Sequence, residues 1–175
     1  MSDSRIEGYA RGLFEIARAE GTIDEVEDEL FRFARLYESS EELRNALSDE
    51  QIPASKRQAI VEDLLGGKVT PTTTQLISMV VGSGRARDLP AIVDKLVARA
   101  SAAKNLEVAE VRTAVSLTPD QETRLAAALA NSTGKEVNLK VVVDPSVLGG
   151  IVATVGDTVI DGSVRTRIEQ LKSRL

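Results

Sequence analysis

From residue 6 to about residue 104, apolar side chains recur every three to four positions, the spacing of amphipathic helices, and turn signals punctuate them regularly. Ile6, Tyr9, Leu13, Ile16 and Ala17 define the inward face of a first helix that stops at Gly21. Thr22-Ile23-Asp24-Glu25 predicts a capping box opening a second helix, with Val26, Leu30, Phe33 and Tyr37 on one side. A short element with Leu43 and Leu47 inward follows Ser39-Ser40. Ser55 and Gln58 predict another capped start, leading through Ile60, Val61, Leu64 and Leu65 to Gly66-Gly67. Thr70-Pro71 places a cap before a proline at the first helical position, where the missing amide costs nothing. The segment 75–81 that follows is apolar nearly all round and closes at Gly82 and Gly84. Asp88 then opens a long helix through Leu89, Ile92, Leu96 and Ala100. Short connections between such helices predict an antiparallel bundle of about six.

Past residue 105 the period changes. Val108, Glu110, Arg112 and Ala114 alternate against Ala109, Val111, Thr113 and Val115, the pattern of a strand. Thr118-Pro119-Asp120-Gln121 is a complete helix start, and its helix runs through Leu125 and Leu129 to Gly134. Residues 137–143 and 151–155 read as further strands, and Gly156-Asp157 is a two-residue hairpin loop before Thr158-Val159-Ile160. Asp161-Gly162-Ser163 caps a last amphipathic helix carrying Val164, Ile168, Leu171 and Leu175. The fold class is therefore α+β, with a helical bundle over residues 1–105 and a small mixed α/β domain over residues 106–175.

Composition narrows the chemistry. Aromatic residues are only 3% of the 175, so Leu, Ile, Val and Ala must build the core. Net charge is −5 with no basic run, which argues against a nucleic-acid partner. Residues 20–50 hold eleven acidic side chains against Arg32, Arg35 and Arg44, whereas the last thirteen residues are net +3. Solvated helix faces are the ordinary account of this asymmetry; the functional alternative is two ends built for different partners. With no Cys and no His, disulfides, Cys/His metal sites, thiol nucleophiles and imidazole bases are excluded. No apolar run approaches the roughly 18 residues of a membrane span, and Met1-Ser2-Asp3-Ser4 is neither signal nor transit sequence. The expectation is a protein that does not insert in a membrane and works in the compartment where it is made.

Candidate sites are few. Gly149-Gly150 lacks the Gly-Lys-Ser/Thr ending and the following helix start of a phosphate loop, so a tight backbone approach before a strand explains it. Asp157 suits a turn and Asp161 a cap, and no nucleophile or oxyanion donor converges on either. No catalytic residue, cofactor or metal is expected. Two helices are overfull instead: Phe14 stands beside Leu13, and Met79 widens the stripe of Leu76, Ile77, Val80 and Val81. Such a surplus marks either a central buried helix or a groove awaiting a partner's amphipathic helix.

Tyr9-Ala10-Arg11-Gly12-Leu13-Phe14-Glu15-Ile16-Ala17 resembles the opening helix of ATP synthase delta subunits. Asp144-Pro145-Ser146-Val147-Leu148-Gly149-Gly150, continuing through Gly156-Asp157-Thr158-Val159-Ile160-Asp161-Gly162-Ser163-Val164-Arg165, resembles the C-terminal hallmark of that family, whose mitochondrial member is the oligomycin-sensitivity-conferring protein. The resemblance implies a non-catalytic stator linker of the rotary proton-translocating ATP synthase, peripheral at the cytoplasmic face of the cell membrane. It further implies a groove between the first and fifth helices that holds the N-terminal helix of an alpha subunit, lined by Tyr9, Ala10, Leu13, Phe14, Ala17, Leu76, Ile77, Met79 and Val80. The C-terminal domain would meet the b subunit of the peripheral stalk, with Arg165, Arg167 and Arg174 as contacts. Gly12 stands where the family usually has Ala, and Thr154 where many members carry Lys or Arg. The competing readings are a helical adaptor for another amphipathic helix and a small enzyme, the latter requiring turnover without His or Cys.

Overall fold

In the computed structural model, which describes residues 2–162, the helix-spaced part of the chain forms α1 (Ser2–Ala19), α2 (Ile23–Ser39), α3 (Glu41–Ser48), α4 (Ala54–Leu65), α5 (Pro71–Gly82) and α6 (Leu89–Ala103). A single 3-10 turn, Ala86–Asp88, leads into α6. The alternating part forms β1 (Glu107–Thr113), α7 (Pro119–Thr133), β2 (Val137–Val143), β3 (Ile151–Val155) and β4 (Thr158–Asp161). The chain divides into two compact units, Met1–Ala100 and Ser101–Leu175, and α6 runs across the division. The terminal helix expected after Gly162 lies outside the described residues.

The helical unit is held by aliphatic packing with few aromatic contributions. Leu13, Leu30, Leu47, Ile77, Leu89, Ile92 and Leu96 are all fully buried. Burial of apolar surface at roughly 25 cal/mol per Å² dominates its stability. Surface ion pairs, such as Arg35 with Asp94 at 2.6 Å and Lys95 with Asp3 at 3.8 Å, stitch α2 and α1 to α6 but contribute little each.

Helix starts are realised unevenly. Thr118 and Gln121 form both halves of the capping box of α7, and the Ser40 and Thr70 hydroxyls accept from the amides of Leu43 and Thr73. The box expected at Thr22 does not form. Its ψ of 19° leaves the extended region a capping residue occupies, and its hydroxyl is buried without a partner. Nor does Ser55 cap α4, which begins one residue earlier behind Pro53. Gln58 donates instead to the Ser78 carbonyl at 3.1 Å, joining α4 to α5.

In the second unit the sheet order is β2-β1-β3-β4, with β1 parallel to β2 and the other neighbours antiparallel. The α7 crossover supplies the connection that a parallel pair requires. Ala109, Val111, Leu129, Ala153 and Val155 form its buried core, and Leu125, Leu139 and Ile160 pack around them. Gly156, at φ 56°, closes the β3–β4 hairpin, and a Cβ there would stand 2.6 Å from a Glu107 carboxylate oxygen. Gly149 and Gly150 likewise have positive φ, so they are loop glycines before a strand.

Candidate functional site

The nine residues implicated on the first and fifth helices divide sharply by burial. Ala10, Leu13, Phe14 and Ala17 of α1, with Leu76, Ile77 and Val80 of α5, lie inside the helical unit, and Tyr9 is half-buried. Only Met79 is well exposed, at 43%. The inward stripe of α1 is thus 10-13-14-17, a perfect i, i+3, i+4, i+7 set. Ile16, expected inward, is 40% exposed because it stands about 110° round the helix from the centre of that stripe. Helix α5 is the central element: Thr72, Thr73, Leu76, Ile77, Ser78, Val80 and Val81 are all buried. What remains is one exposed line at successive i, i+4 steps, Pro71, Gln75, Met79 and Ser83.

A polar cluster at the start of α5 joins it to α1 and α2. From α2, the Glu29 carboxylate accepts from the Thr70 amide at 3.0 Å and from the hydroxyls of Thr70 and Thr73 at 2.8 and 2.5 Å. Just beyond α1, Glu20 accepts from the Thr72 hydroxyl. Ile16 lies one turn before Glu20 on the same side of α1, and Met79 two turns beyond Thr72 on the same side of α5. The Glu20–Thr72 bond therefore brings together the two helix sides that carry the exposed apolar residues. On α1 that side continues through Gly12 and Gly8, both exposed, where an added Cβ would meet nothing within 4 Å. The exposed positions flanking this bond, Gly8, Gly12 and Ile16 on α1 and Met79 on α5, define a candidate α1–α5 seam.

Partial burial pushes the Glu29 carboxyl up, but the Thr73 and Thr70 hydroxyls, the Thr70 amide and the Arg32 charge outweigh it and hold the group below its ordinary 4.5. A depressed carboxyl contributes stability that is complete above its unfolded value and lost as pH falls through the folded one. Acid unfolding followed by circular dichroism should therefore show stability falling with pH below 4.5, and falling less steeply in Glu29→Gln.

In the second unit, Val115, Val143 and Leu148 are exposed at the end of the sheet where β1 and β2 finish and β3 begins. Asp144 braces that end by accepting from the Ser146 amide and hydroxyl at 2.9 and 2.6 Å. Those hydrogen bonds, together with the nearby Arg112, hold its carboxyl below the usual range. Arg165, Arg167 and Arg174 lie outside the described residues. A further apolar groove of about 310 Å³ opens between α2, α3 and α4, lined by Leu36, Leu43, Ala46, Ile60 and Leu64. Among the described residues no group of three or more acidic side chains is placed to hold a metal ion, and no helix is long and apolar enough to cross a membrane.

The family model described as ATP synthase delta (OSCP) subunit matches residues 6–175. ATP synthase subunit delta of Streptomyces avermitilis is 43% identical over 159 residues, covering 91% of this chain and 58% of that protein. The subunit delta of Nocardia farcinica is 44% identical, covering all of this chain and 65% of its own length. The chain thus spans less than two thirds of these two relatives. That of Desulforudis audaxviator is 35% identical, with 95% and 92% covered. A chain in the solved Toxoplasma gondii mitochondrial ATP synthase hexamer shares the fold, with a TM-score of 0.58 at 22% identity, covering 97% of this chain and 96% of that one.

Proposed function

Since the chain belongs to the ATP synthase delta (OSCP) subunit family, we propose that it is a non-catalytic stator component that ties the catalytic head to the peripheral stalk. The helical unit takes the amphipathic N-terminal helix of an alpha subunit, and the second unit meets the b subunit of the stalk. The joint works mechanically. It resists rotor torque so that the head does not turn with the central shaft, and it sits peripherally at the cytoplasmic face of the membrane as part of the complex.

The observation that carries the head contact is the α1–α5 seam. Exposed Ile16 and Met79 border it, and Met is well suited to such a surface because its thioether adapts to the shape of a partner. Gly8 and Gly12 each cost roughly 0.5–1 kcal/mol relative to Ala in mid-helix. Nothing inside the unit requires them, since a side chain at either would meet open space. Close approach of a helix from outside gives both glycines a purpose. For the stalk contact, family membership is supported by the apolar end of the sheet at Val115, Val143 and Leu148.

The test is calorimetry with a peptide of an alpha subunit's N-terminal helix. The parent chain should bind it. Ile16→Asp with Met79→Asp should weaken binding about 100-fold or more, because each removes an apolar contact of roughly 1.5–3 kcal/mol. Both positions face solvent, so the urea midpoint should stay close to that of the parent. A folded parent that binds no peptide would sink the head-docking assignment.

A further inference from the structure

We propose that Glu29 and Glu20 are positioning residues of the head-docking seam: they fix the rotation of α5 that keeps Met79 exposed on the side where Thr72 meets Glu20. The inference rests on the docking function above and adds the device that sets its geometry. Because α5 exposes only one line of residues, the seam depends on which way that line points. Successive residues turn by about 100°, so a rotation of less than half a residue step would carry Met79 out of the seam.

Thr72 and Thr73 are adjacent on α5 and therefore project in different directions. The Thr73 hydroxyl donates to Glu29 on α2 at 2.5 Å, and the Thr72 hydroxyl donates to Glu20 beside α1. Two bonds at different angles, to two different helices, oppose rotation in both senses. Glu29 also accepts from the Thr70 amide and hydroxyl, so the carboxylate grips the start of the helix at three points. Helix formation itself does not need this grip. The Thr70 hydroxyl already caps α5 by accepting from the Thr73 amide, and Pro71 removes another free donor. What the carboxylates add is orientation, because hydrogen bonds are directional and the aliphatic packing below them is not. At the other end, the Gln58 amide on the Ser78 carbonyl ties α5 to α4. A clamp at each end holds the central helix at a fixed angle.

The experiment compares Glu20→Ala with Glu29→Ala, singly and together, against the parent and against Leu47→Ala. Leu47 is fully buried on α3, so its truncation lowers stability without touching the cluster. The chain has two methionines, Met1 and Met79, so carbon-13 methyl labelling gives two signals and reports Met79 directly in the free protein. The double Ala variant should shift the Met79 methyl signal and weaken the alpha-subunit peptide about tenfold, through a smaller population of the competent orientation. Leu47→Ala should keep the parent's signal and affinity at comparable urea stability. Glu29→Gln, which retains an acceptor oxygen, should recover part of what Glu29→Ala loses. An unmoved methyl signal in the double variant overturns the positioning role. So does an affinity loss that Leu47→Ala reproduces at equal stability. The signal is read without peptide, so failure of the parent to bind strikes the docking function separately.

Discussion

A Val80→Asp chain is expected to lose its helical unit outright, while Met79→Asp, one residue away, folds. Val80 is fully buried on the central helix of the unit, against Met79 at 43% exposed. The substitution removes the packing of a buried Val, worth roughly 1.5–3 kcal/mol, and leaves a carboxyl among aliphatic side chains with no partner. An unpaired buried charge adds about 3–5 kcal/mol. Together these approach the whole stability of a small domain, roughly 5–15 kcal/mol. Leu13→Asp falls under the same reasoning. Far-UV circular dichroism with urea titration distinguishes the outcomes: loss of most helical signal for Val80→Asp, and a parent-like transition for Met79→Asp. A folded Val80→Asp protein would mean that α5 is not central. The pairing also decides how docking must be probed, since a variant that unfolds cannot report on a surface contact.

The second large effect is expected at Val111. It sits fully buried on β1, which pairs with β2 on one side and β3 on the other. Asp at this position would face Leu129 and Ala153 in the small core, with no cation among that core's members to answer it. A core of five buried residues has little reserve, so about 4 kcal/mol or more of destabilisation should melt the sheet. The expected spectrum keeps dispersed amide signals from residues 3–100 and loses those from residues 107–161. Simultaneous loss of both sets would show that the helical unit cannot stand without the sheet, and retention of both would show that β1 is not buried as described.

The α+β order is legible because its signals are local. The period changes from three-to-four to two at β1, and the boundaries of β2 and β3 coincide with runs of β-branched residues between turn signals. Thr118-Pro119-Asp120-Gln121 specifies a helix start within four residues, and the structure realises it fully. What the sequence does not display is competition from distant partners. Gln58 is four residues into α4 by spacing, but the Ser78 carbonyl twenty residues on takes its amide. Glu29 reads as one more charge on an acidic helix, yet its partners are Thr70 and Thr73, 41 and 44 residues away. At the candidate site, Met79 stands out by widening an apolar stripe, whereas Ile16 fits the helical period well enough to pass for a core residue. Its exposure follows only from the way Ala10 and Phe14 centre the buried stripe of α1.

The parallel pairing of β1 with β2 bears on how the chain acquires its structure in time. Helices α4 and α5 of the first unit pack across a short connection, which costs little chain entropy. Strand β1 has no such option: Glu107 pairs with Val137, and the whole of α7 must form or collapse between them before the first ladder closes. β3, its other partner, begins at Ile151 and is later still in the sequence. As the chain is synthesised, β1 therefore emerges with both edges open and its Val and Ala side chains uncovered. The helical unit is complete by then, so the sheet condenses last and its nascent strand is the segment most exposed to mispairing.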